Sequence, residues 1–90
     1  MGRKSEAEAA KASRQLGRNL VEFRGRVGLS QQGAADRAGL HRTEVSLIER
    51  GERLPRLDTI VKLAGAVEVE PCALLTGMAW ELEEPKEGSR

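Results

Sequence analysis

Ninety residues with 15 Lys and Arg, 14 Asp and Glu and a net charge of +1 make one small domain, which buries only about 60–65 % of its unfolded surface. Phe23 and Trp80 are the sole aromatics, so the core is aliphatic, which favours packed helices over a β-sandwich. The balance is uneven along the chain: residues 1–56 carry +5 and residues 57–90 carry −4, so the first part is the one able to face a polyanion.

Ser5 and Glu8 have the spacing of a capping box and precede a run rich in Ala, Glu, Lys and Gln, which predicts an early, long first helix. Leu16, Leu20, Phe23 and Val27 recur at steps of four, three and four and form its core stripe, with Gly28 as the stop. Ser30 is placed to cap a short second helix through about Ala38, whose Ala34, Ala35 and Ala38 permit close contact. Gly39 ends it. A third helix begins near His41 with Val45 and Ile48 facing inward and Thr43, Ser46, Leu47 and Arg50 facing outward. Gly51 ends that one.

Residues 52–56 read as a loop because Pro55 biases Leu54 away from the helical region. A fourth helix from about Leu57 has Ile60, Leu63, Ala64 and Val67 at helical spacing and Asp58 in its first turn. Pro71 suits the start of a fifth helix docked by Leu74 and Leu75 and closed by Gly77. The resulting division is residues 1–12 as an N-terminal extension that starts the first helix, 13–77 as the folded domain, and 78–90 as a C-terminal segment with an acidic tail. The composition from Glu83 onward predicts disorder.

The function-bearing object is the pair of short helices joined across Gly39. A steep crossing needs a small residue at the contact, a turn residue tolerant of positive φ, and apolar residues that lock the angle; Ala35, Gly39, Val45 and Ile48 fill those places. Such a unit presents the outer face of its second helix, a cylinder about 10–12 Å across, which matches a major groove about 12 Å wide.

From about Leu16 to Leu75 the chain resembles the Cro and phage-repressor type of helix-turn-helix regulators, the XRE family. The likeness rests on Ser30-Gln31, Ala35, Ala38-Gly39-Leu40, Ser46, Ile48-Glu49-Arg50-Gly51, Pro55 and Leu63-Ala64. It implies an all-α fold, a lambda-repressor-like five-helix bundle, that binds double-stranded DNA as a homodimer on an inverted repeat. It also implies residue roles. Gln31 touches a phosphate or base edge, and Arg42 reads guanine from the start of the recognition helix. Thr43, Ser46 and Leu47 line the groove, with Leu47 against a thymine methyl. Arg50, Arg53 and Arg56 hold phosphates, and His41 either reaches a phosphate or is a plain exposed helix start. Arg24 and Glu49 fall where the family joins its first and third helices by an ion pair. Gly33 and Ala34 depart from the family, a helix-forming acid and a larger apolar residue being usual there.

Catalysis fails on inventory, since the single histidine lies at an exposed helix start. With Cys72 and His41 each the only residue of its kind, no internal disulfide is possible and no zinc site can be assembled. No metal or cofactor is expected. No apolar run approaches the roughly 20 residues of a membrane span, and the charged start is no signal peptide; the expectation is a cytoplasmic protein without membrane contact. The rival reading is a protein-binding module, or an antitoxin-like partner-binding protein, that uses Met78, Trp80 and Leu82. Those three are also the candidates for a homodimer contact. Stand-alone repressor, antitoxin and restriction-modification controller all remain open roles, and the start Leu40-His41-Arg42-Thr43 resembles the recognition helices of the controllers.

Overall fold

The computed structural model describes residues 3–79, which form four α-helices and a terminal 3-10 helix: α1 (Arg3–Arg26), α2 (Gln31–Ala38), α3 (Arg42–Glu49), α4 (Leu57–Ala66) and the 3-10 helix Pro71–Leu75. α1 already runs at Arg3, so Ser5 lies inside the helix rather than capping it. Helix formers surround Ser5 on both sides and nothing there stops the helix. The helix ends at Arg26, after which Gly28 adopts φ 72° and the Leu29 N–H bonds to the Arg24 carbonyl at 3.0 Å. This left-handed exit turns the chain back toward α2.

The expected fifth α-helix is a 3-10 helix of five residues. Pro71 opens it and Gly77, at φ 84°, stands two residues past its end. A segment that short has no room for a ladder of i to i−4 bonds, and the tighter 3-10 form is the usual outcome. The Asn19 amide on α1 donates to the carbonyls of Leu74 and Thr76, both at 2.8 Å, and so fastens this end of the chain to α1.

One core lies between the helices. Leu16 and Leu20 of α1, Val45 and Ile48 of α3, Leu63 of α4 and Leu74 are fully buried, and Ala35, Ala38 and Ala64 let α2 and α4 approach closely. Each fully buried Leu or Ile contributes about 1.5–3 kcal/mol of burial. The α1 contact with α3 is set by two glycines. A Cβ on Gly17 would lie 2.7 Å from the Ile48 carbonyl oxygen and closer still to that of Glu49, while a Cβ on Gly51 would meet Arg14 Cγ at 2.9 Å. Backbone therefore packs on backbone at the end of α3, which fixes this helix along its length as well as by its apolar face.

Candidate nucleic-acid interface

Serine, glycine and two apolar residues build the helix-turn-helix. Ser30 Oγ accepts from the Gly33 N–H at 2.9 Å, which satisfies one free donor at the start of α2. Gly39 closes α2 at φ 70°, ψ 36°, and the Leu40 N–H returns to the Ala35 carbonyl at 2.9 Å. The Gly33 site is crowded: a Cβ there would lie 3.2 Å from Leu29 Cδ2 and 3.4 Å from Ser30 Oγ. Glycine in place of the family's helix-forming acid leaves room for the Leu29 side chain above the cap. α3 starts after His41, which takes the extended cap conformation without a side-chain cap bond.

On α3, Arg42 and Thr43 are exposed, while Ser46 and Leu47 are half-buried. The sequence places Leu47 outward; its side chain is partly covered because the apolar inner face, centred on Val45 and Ile48, is wider than two positions. The exposed end of α3 is thus its N-terminal turn, where His41, Arg42 and Thr43 stand together.

Behind that turn runs a chain of charge-assisted hydrogen bonds. Arg24 Nε donates to Glu49 Oε2 at 2.7 Å and Arg24 Nη2 to Glu49 Oε1 at 3.0 Å, a bidentate pair between α1 and α3. The Arg24 side chain is 19 % exposed and that of Glu49 5 %. Arg24 Nη1 also donates to the Leu29 carbonyl at 2.9 Å. The hydrogen bond to Glu49, and then its charge, raise the Arg24 pKa above an already high ordinary value despite partial desolvation. Gln31 Nε2 donates to the same Glu49 Oε1 at 2.8 Å, and Gln31 Oε1 accepts from Arg42 Nη1 at 3.1 Å. The carboxamide is therefore oriented from the inside, with its oxygen turned to the exposed guanidinium.

The other arginines differ in freedom. Arg50 donates to Ser46 Oγ at 2.9 Å and pairs with Glu52 at 3.3 Å. Arg56 pairs with Asp58 at 3.3 Å. Arg53 is exposed and has no hydrogen bond or ion pair among the described residues. Met78 packs on its own core, whereas Trp80 and Leu82 lie outside the described residues.

Several supporting residues escape a reading of the sequence. Arg37 of α2 donates to the Ala66 carbonyl at 3.0 Å and to Glu68 Oε2 at 2.9 Å, tying α2 to the end of α4 across 31 positions. Nothing local signals such a pair. Gly17 did carry a signal: a lone glycine within a run of helix formers usually has a packing reason.

A bundle of this shape, with a capped pair of short helices crossing at an αL glycine and a cationic turn exposed on the second, defines a helix-turn-helix DNA-binding regulator of transcription and not an enzyme. The chain belongs to the helix-turn-helix family HTH_3, which matches residues 20–74. It is similar to the control protein C.SmaI of Serratia marcescens, with 39 % identity over 61 residues, 68 % of this chain and 73 % of that protein. Its fold matches the restriction-modification controller protein C.AhdI from Aeromonas hydrophila with a TM-score of 0.67 and 42 % identity over 69 % of this chain and 94 % of that one. A hypothetical transcription factor from Neisseria, NHTF, matches with a TM-score of 0.69 and 38 % identity over 71 % and 74 % of the two chains. No helix among the described residues is long and apolar enough to cross a membrane.

Proposed function

We propose that this protein is a control protein of the restriction-modification kind, which binds an inverted-repeat operator as a homodimer and regulates transcription from it. The observation that carries the base-reading part is the exposed Arg42 at the first position of α3, held from behind by Gln31. A guanidinium there is suited to bidentate bonding with guanine O6 and N7, worth about 1–3 kcal/mol of discrimination. Thr43, Ser46 and Leu47 extend the same face, with the covered part of Leu47 limiting it to an apolar edge contact. Arg50, Arg53 and Arg56 flank the groove contact and, with His41, supply affinity through phosphates. The identity shared with two control proteins supports the biological role over the stand-alone repressor and antitoxin alternatives.

The test is selection of binding sites from random duplexes, followed by titration of the selected site with wild type and Arg42→Ala. Enrichment of an inverted repeat whose preference relaxes at one base pair per half-site in the variant supports the reading. Equal, weak binding to every duplex overturns it in favour of a protein-binding module. A promoter reporter carrying the selected site then decides the direction of regulation.

A further inference from the structure

α4 leaves an apolar stripe on the side turned away from the core. Leu57 is 74 % exposed and Val61 48 %, one turn apart on the same face, and Leu54, 61 % exposed, precedes them in the loop. One turn further on stands Gly65, also exposed, where a Cβ would meet nothing within 4 Å. Glycine inside a helix costs stability relative to alanine, and nothing among the described residues requires it at that position. Leu57, Val61 and Gly65 together form a ridge that ends in a hollow.

We infer that this stripe is the homodimer face, with α4 packed antiparallel against α4 of a second copy about a two-fold axis at Val61. The inference rests on the homodimer reading above and supplies its missing surface. Three features select a second copy as the occupant. First, the stripe is self-complementary: a two-fold centred on Val61 sets each Leu57 opposite the partner's Gly65, so that a large side chain enters the hollow left by a missing one, twice, with Val61 on Val61 between them. Second, the charges match under the same operation. Asp58 and Lys62 lie on one flank of the stripe, and an antiparallel two-fold keeps that flank common to both copies. Each Lys62 then stands within about 3 Å, measured along the axis, of the level of the partner's Asp58, given a rise of 1.5 Å per residue. Third, an aliphatic stripe with flanking charges of both signs suits a like surface and not a phosphate backbone.

A single helix pair buries less than the roughly 800 Å² per partner of a standard interface. The free dimer is therefore weak, and a duplex with two half-sites holds it together. On the C-terminal side the exposed Leu75 and the part-buried Met78 line an open pocket with Glu8 and Ala12 of α1, the competing surface for a second copy.

Sedimentation velocity over a hundredfold range of concentration, combined with titration of one-half-site and two-half-site duplexes, tests the assignment. Two variants carry it. Leu57→Glu puts a carboxylate in place of the side chain that enters the partner's hollow at Gly65, where it would be buried without a partner charge. Gly65→Gln fills the hollow with a good helix former, so its melting temperature should hold or rise while the dimer is lost. Both are expected to shift the monomer–dimer midpoint at least tenfold upward and to reduce two-half-site binding to the level of one half-site, with one-half-site affinity kept by Gly65→Gln. Leu75→Glu is expected to behave as wild type. If both α4 variants dimerise like wild type, or if Leu75→Glu alone breaks the dimer, the α4 face is wrong while the homodimer reading stands. If wild type stays monomeric at every concentration and selects single half-sites, the homodimer reading itself fails and the α4 inference falls with it.

Discussion

Glu49 orients Gln31: its Oε1 accepts the Gln31 Nε2 hydrogen at 2.8 Å, which leaves the carboxamide oxygen facing Arg42. Without Gln31 the Arg42 side chain recovers rotamer freedom that binding must remove again. Arg42→Ala is expected to cost about 1–3 kcal/mol at the base pair it reads, and Gln31→Ala about 0.5–1.5 kcal/mol, the net value of one hydrogen bond. Titration against the selected duplex and its single-base variants distinguishes the roles. A Gln31→Ala loss confined to the Arg42 base pair supports orientation, whereas an equal loss on all duplexes identifies Gln31 as a phosphate contact instead.

Arg24 and Glu49 join α1 to α3 with both charges mostly removed from water. Truncating one partner strands the other, so Arg24→Ala is expected to destabilise by about 3 kcal/mol, the lower end for a buried pair because the arginine is one-fifth exposed. A double-mutant cycle with Glu49→Ala, read by urea unfolding, should show coupling of more than about 1 kcal/mol. The pH dependence has a fixed sign. Because the folded pKa of Arg24 is raised, its contribution is fully present below the unfolded value and is lost only as pH climbs through the raised one. Urea midpoints between about pH 6 and 9 should therefore show no change attributable to Arg24.

Two glycines of one helix make a paired stability test. Gly17 abuts the carbonyls of Ile48 and Glu49, backbone atoms that cannot swing aside, whereas Gly25 has open space where a Cβ would go. Gly25→Ala is expected to stabilise by up to about 1 kcal/mol through helix propensity. Gly17→Ala gains the same propensity but overpacks the contact, a cost of about 1–3 kcal/mol or more. Thermal melts should therefore move in opposite directions, and DNA affinity should fall only for Gly17→Ala, because the displaced element is α3.

These contrasts mark where the sequence is legible. The short-helix pair could be read because its determinants are local: Ser30 three residues before its bonding partner Gly33, Gly39 at the turn, and Val45 and Ile48 on one face. The long α1 is legible in its run of helix formers, but Ser5 lies two residues inside it, because a capping-box spacing only marks a start when the residues before it cannot be helical. The fifth helix came out as a 3-10 helix because Pro71 and Gly77 mark ends without setting the pitch between them. The Gln31 link to both Glu49 and Arg42, and the Arg37 bonds to Ala66 and Glu68, connect residues 11–31 positions apart. Their pairing depends on how the helices cross, which no spacing rule contains.

Arg53 and Arg56 share the loop between α3 and α4 but differ in what they give up on meeting a phosphate. Arg56 must leave or share Asp58 at 3.3 Å, while Arg53 has no bond to break among the described residues. Each phosphate contact releases counterions and adds about 0.9 to the magnitude of the slope of log K against log salt. Arg53→Ala is therefore expected to lower that slope by about 0.9 and weaken binding to all duplexes alike, leaving base preference intact. Arg56→Ala should lower the slope by less, because the wild-type charge is already part-neutralised by Asp58. Fluorescence anisotropy from about 50 to 300 mM salt measures both. An unchanged slope for Arg53→Ala would remove it from the interface, and a loss restricted to one base pair would move it from phosphate holding to sequence reading.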